Sequence, residues 1–118
     1  MNNYKDLIVW KKSVDFAVSV YKITQTFPKS EQFALSSQLQ LAASSIAANI
    51  AEGAGRNSDK EFVHFLSIAL GSLYEVETYI IISQKIGYLS EEKINSLFQL
   101  IVEIDKMIKG LQKSKGTN

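Results

Sequence analysis

Three short breaks set the plan of this 118-residue chain, because the segments between them share one periodicity. The breaks are Phe27-Pro28-Lys29-Ser30, Gly53-Ala54-Gly55-Arg56-Asn57-Ser58 and Gly87-Tyr88-Leu89-Ser90. Proline disfavours a helical conformation at the residue before it, and Ser30 is placed to cap the second segment. The paired glycines of the second break tolerate positive φ at a helix end, and Ser58 with Glu61 has the spacing of a capping box. In the third, Gly87 ends one helix and Ser90 caps the next, ahead of Glu91 and Glu92. Leu89 and Ile94 are spaced as a hydrophobic staple across that cap.

Apolar residues recur at steps of three and four in every segment. They run Leu7, Trp10, Val14, Ala17, Tyr21, Thr24 in the first and Leu35, Leu39, Ala42, Ile46, Asn49, Gly53 in the second. The third reads Phe62, Leu66, Ala69, Leu73, Val76, Ile80, and the fourth Ile94, Leu97, Ile101, Ile104, Ile108, Leu111. No segment alternates with period two, so strands are not expected. Helices of roughly 20–28 residues with short links predict an all-α fold, an antiparallel up-down-up-down four-helix bundle. One domain over residues 1–118 accommodates it.

The second segment holds twenty consecutive uncharged residues, Gln32 to Ala51, the length of a membrane span. Four serines, three glutamines and Asn49 argue against lipid, and six alanines suit a buried helix that neighbours approach closely. No N-terminal stretch has the pattern of a signal peptide, and a soluble, cytoplasmic protein without a membrane partner is expected. Two helices carry more apolar residues than one stripe requires. The first has Val9, Phe16, Val20, Ile23 and Phe27; the third has Phe65, Ile68, Ser72, Glu75, Tyr79, Ile82 and Ile86. Large exposed apolar patches are rare on soluble monomers, so Val9, Phe16, Val20, Ile23, Phe65, Ile68, Tyr79 and Ile82 are candidates for a homo-oligomer interface. The alternative is that they widen the core.

Catalytic chemistry finds little to work with. Without cysteine there is no disulfide, thiol nucleophile or Cys-ligated metal. Glu61-Phe62-Val63-His64 is half of a di-iron ligand set, but His64 is the sole histidine and Glu61 is claimed by the Ser58 cap. Gly53-Ala54-Gly55 follows a helix instead of a strand and lacks the rest of a phosphate-binding loop. The chain is therefore expected to be no enzyme, with no catalytic residue, metal or cofactor.

Three polar features remain. Glu75 interrupts an apolar stripe, so it has partners or faces an oligomer interface, the alternative being a partly exposed stripe with Glu75 solvated. Glu52 and Arg56, beside Asn49, are spaced to pair across a helix turn and pin the loop. Charge is also uneven, although thirteen basic residues against twelve acidic ones leave a net charge of only +1. An antiparallel bundle gathers Lys5, Lys11, Lys12, Arg56, Lys60, Lys109, Lys113 and Lys115 at one end, against Asp6, Glu52, Asp59 and Glu61. Lysines at a helix C-terminus complement its dipole; as a basic face they are a candidate phosphate-binding surface. No aromatic ladder interleaves with them, so base stacking is not indicated.

An ordered set of motifs spans nearly the whole chain: Asp6-Leu7 with Trp10, Phe27-Pro28, Leu35 with Gln38-Leu39, Ser44 to Gly53 followed by Gly55-Arg56, Glu61-Phe62 with Phe65-Leu66, Gly71 to Glu75, and Leu89 after Gly87-Tyr88. With these the chain resembles the family encoded within intervening sequences of bacterial 23S rRNA genes. The resemblance implies a four-helix bundle assembled as a homopentamer. It singles out Asn49, Glu52, Gly53, Arg56 and Glu75, without a catalytic role for any of them. Accessory variability proteins of diversity-generating retroelements are related to that family; they form similar pentamers that bind nucleic acid and a reverse transcriptase, and they are strongly basic where this chain is not. The expected function is a non-enzymatic, homo-oligomeric scaffold or adaptor with RNA or a protein as partner. The alternatives are a protein-binding module without nucleic acid, and a metal or small-molecule binder in the bundle core.

Overall fold

The structure, a computed structural model, describes residues 3–116. A 3₁₀ turn (Tyr4–Asp6) leads into α1 (Ile8–Thr24), and a second (Lys29–Glu31) precedes α2 (Leu35–Ala54). Helices α3 (Asp59–Lys85) and α4 (Glu91–Ser114) complete the chain, with no strand among the described residues. At 1.5 Å per residue the 27 residues of α3 span about 40 Å, close to the full 43 Å length of the molecule. Each helix packs against its neighbours in sequence and α1 closes against α4, while the diagonal pairs stay apart. Gln40 of α2 reaches Thr24 at the end of α1, and Gln112 of α4 reaches Ser67 near the start of α3. Adjacent helices are thus antiparallel, in the expected up-down-up-down bundle.

Two caps form as their residues dictate. Ser58 Oγ accepts from Glu61 N at 3.1 Å and lies 3.3 Å from Glu61 Oε1; Ser90 Oγ accepts from Lys93 N at 3.3 Å. Gly87 has φ +92°, with its own N–H bonded to Gln84 O and the Tyr88 N–H to Ser83 O, a Schellman ending for α3. Leu89 and Ile94 are both buried across the Ser90 cap. Ser30 departs from expectation. It lies in the second 3₁₀ turn, and α2 begins only at Leu35, behind Ala34, which offers no side-chain cap. The Glu31 carboxylate takes that place, accepting from Leu35 N at 3.4 Å.

The core is built from the predicted stripes of α3 and α4, with Leu39, Ala43, Ile46 and Ile50 of α2. Helix α1 is turned relative to its predicted leading stripe. Val9, Phe16 and Val20 are buried together with Ser13 and Thr24, whereas Tyr21 of the other row is 43% exposed. Val9, Phe16 and Val20 are therefore core residues and not an outward interface: the aromatic ring of Phe16 buries more apolar area inside than Val14 or Ala17 would. Gly53 also differs from expectation, since it is a buried helical residue without positive φ. A Cβ there would sit 2.6 Å from Phe65 Cβ, so glycine serves the close approach of α2 and α3.

Candidate functional site

The corner between α2 and α3 collects most of the motif residues. Arg56 bonds to Glu52 at 3.0 Å, lies 3.8 Å from Glu61, and places its guanidinium 4.7 Å from the centre of the Phe65 ring. Asn49 donates to Ser45 O one turn back, on the same helix. With Gly53 against Phe62 and Phe65, these groups lock the loop between the two helices. Glu75 does not join them. Fourteen residues past Glu61 along α3, it is about 21 Å away, and it is exposed without an ion pair among the described residues.

The basic end is smaller than the sequence suggests. Lys12 pairs with Glu103, Lys109 with Asp105 at 3.2 Å, and Arg56 with its two glutamates. Those three cations lie against acids of their own fold. Lys5, Lys11, Lys60, Lys113 and Lys115 make no ion pair among the described residues, and Lys115 lies over the Phe62 ring at 5.9 Å. His64 is exposed and meets Phe65 edge-on at 5.6 Å. No three His, Asp or Glu side chains converge as metal ligands among the described residues.

Two phenols bind carboxylates across the bundle. Tyr74 of α3 donates to Asp105 of α4 at 2.7 Å, and that bond, which ionisation would break, raises its pKa above the ordinary 10.0. Lys109 shares Asp105, and that contact raises its pKa too. Tyr88 donates to Glu31 at 2.8 Å and is raised for the same reason; its ring packs 5.2 Å from that of Phe27. These contacts tie α3 to α4 and the first loop to the third.

The apolar surplus reappears outside, in a different place. Of the eight interface candidates, Ile68 (39%) and Ile82 (42%) are exposed, while Ile23, Phe65 and Tyr79 are half-buried. Helix α3 is long and apolar enough to cross a membrane, yet only 33% of that apolar window is buried. The outer side of α2 and the turn before it add residues that periodicity missed: Leu41 is 66% exposed, and Phe33, ahead of the helix, 89%. Ala48 is exposed on the same side. Between α1 and α2 runs a shallow apolar groove of about 430 Å³ walled by Val14, Ala17, Val18, Tyr21 and Ala47. The charge-free run from Gln32 to Ala51 is the sequence feature that marks this face, because a helix with a solvated outer side ordinarily carries charges there.

Comparison with known proteins places this architecture. The model of the 23S rRNA-intervening sequence protein family matches residues 5–110. A crystal structure of a protein of unknown function from the S23 ribosomal protein family of Bacteroides thetaiotaomicron has a TM-score of 0.83 and 28% identity, covering 90% of this chain and 96% of that one. No curated protein matches.

Proposed function

This chain belongs to the 23S rRNA-intervening sequence protein family, and on that premise we propose a non-enzymatic, cytoplasmic scaffold that works as a homo-oligomer. One observation carries the reading: the outward side of α2, from Ser37 through Leu41 to Ala48, is exposed and bears no charge, and Phe33 is exposed just ahead of the helix. The exposed Ile68 and Ile82 of α3, with Ile86 just past its end, add to the apolar area that a further copy would remove from water. At about 25 cal/mol per Å², such faces favour association over exposure. A subunit number of five rests on the family resemblance alone.

Sedimentation velocity tests it. The protein at micromolar concentration is expected to sediment well above 13.2 kDa, and Leu41→Glu to dissociate it with helicity unchanged. A 13.2 kDa species in the parent protein would overturn the scaffold reading.

The cargo we assign is structured RNA, held through Lys5, Lys11, Lys60, Lys113 and Lys115, whose ammonium groups have no acid partner among the described residues. Repetition of that end around an oligomer multiplies a modest charge. Affinity should fall steeply with salt, by about 0.9 logarithmic units per tenfold salt for each phosphate neutralised. Charge reversal at Lys60 and Lys113 should abolish binding. Salt-independent binding, or none at low ionic strength, leaves a protein-binding scaffold without nucleic acid.

A further inference from the structure

A second cavity, of about 480 Å³, lies where the end of α1, the Phe27-Pro28 turn and the first two turns of α2 meet. Its wall differs from the apolar groove beside it. Thr24, Gln25, Gln32, Ser36 and Gln40 supply hydroxyl and amide groups, and Tyr21 adds a phenol at the boundary between the two. Part of this lining is already organised. Gln40 Nε2 donates to Thr24 Oγ1 at 2.8 Å, Thr24 Oγ1 donates to Tyr21 O at 2.9 Å, and Gln25 Nε2 donates to the same carbonyl at 3.3 Å. The Gln40 side-chain carbonyl oxygen is left as an acceptor.

Ser36 is the unusual member. It is 6% exposed, it lines the cavity, and its hydroxyl makes no hydrogen bond among the described residues. The hydroxyl oxygen itself is not sealed off, since Ser13 Oγ is the one buried unpaired side-chain oxygen among the described residues, so it is open at the cavity wall to bond a ligand atom in place of water. The Gln32 side chain, exposed at the same wall, is likewise unbonded.

Charge decides the class of ligand. The start of α2 would attract an anion, but the Glu31 carboxylate already accepts from Leu35 N there. Lys29 is the one cation on the wall, and it is exposed. The site thus offers paired donors and acceptors with little charge, beside the Phe27 ring, which can cover a C–H face. We propose that this cavity is a binding site for a small neutral polyhydroxylated compound, a polyol or monosaccharide, with Ser36, Gln32 and Gln40 as its hydrogen-bonding residues. The inference stands apart from the scaffold reading, since it concerns a cavity within one chain.

Amide NMR titration of the full chain with glycerol, D-ribose and D-glucose, each up to about 0.1 M, tests it, since that limit lies far above a ~1 mM dissociation constant. At least one probe should give saturable shifts centred on Ser36 and the side-chain amides of Gln25, Gln32 and Gln40. Ser36→Ala and the exposed Gln32→Ala should each weaken binding about fivefold, the worth of one hydrogen bond. Ser37→Ala, one residue along and outside the cavity wall, should not. Absence of saturable shifts with all three probes overturns the proposal. So does Ser36→Ala binding that equals the parent's, or tighter binding of inorganic phosphate to the same residues, which would make this an anion site.

Discussion

Replacing Gly53 by alanine tests how closely α2 and α3 must approach. The added Cβ would lie 2.6 Å from Phe65 Cβ, 3.0 Å from Phe62 Cδ1 and 3.3 Å from Phe62 O. Carbon pairs rest at about 3.5–4.0 Å, so the start of α3 must withdraw by about 1 Å. Phe65 Cβ is tied to the backbone and cannot swing aside as a long side chain would. Overpacking of this kind costs about 1–3 kcal/mol, against up to about 1 kcal/mol recovered by removing a helical glycine. The net expectation is a loss of about 1–2 kcal/mol, or roughly 3–8 °C in melting temperature for a chain of this size. Gly71→Ala is the matched control. It sits inside α3 with nothing within 4 Å of the new Cβ, so the same substitution should stabilise by about 0.5–1 kcal/mol. Urea unfolding followed by circular dichroism at one fixed concentration reads both. If Gly53→Ala is as stable as the parent, the glycine is not there for close packing, and the argument fails.

Single contacts give further outcomes. Ser13 is fully buried with an unbonded hydroxyl, so Ser13→Ala should raise stability by about 1 kcal/mol; a loss in urea unfolding would mean that the hydroxyl is satisfied in solution. Phe16→Ala should cost about 3–5 kcal/mol and Tyr21→Ala under about 1 kcal/mol, and the reverse ranking would restore the other face of α1 to the core. Tyr74 and Tyr88 donate to carboxylates, so their folded pKa values exceed the 10.0 of a free phenol. The stability these bonds supply is complete below pH 10 and is lost as pH rises through the raised values. Ultraviolet titration of Tyr74→Phe and Tyr88→Phe should each lack one late-ionising phenol, and an unchanged late phase would refute the assignment.

The segment plan is readable in the residues because helix ends are local. Ser58, Gly87 and Ser90 act on backbone groups within a few positions, and each forms the contact its spacing predicts. The α3 and α4 stripes are equally plain, since one row of large side chains dominates each helix. Ser30 fails as a cap because a 3₁₀ turn carries the chain past it, with Glu31 held by both Leu35 N and the Tyr88 hydroxyl. Tyr88 is 57 residues away, beyond any local pattern.

The candidate interaction residues are harder to place for a similar reason. The charge-free run from Gln32 to Ala51 is visible at once, but composition alone fits a helix buried on all sides, whereas Leu41 of α2 is exposed, as is Phe33 ahead of it. Lys12 and Lys109 look available until α4 brings Glu103 to the first, and α3 brings Tyr74 to the carboxylate shared with the second. By itself the sequence determined where most of the helices begin and end and that the helices are amphipathic, because periodicity and capping are properties of consecutive residues. Only the tertiary structure decided which row of α1 turns inward and which lysines stay unpaired among the described residues, because the rotation of a helix about its axis is set by the neighbours it packs against.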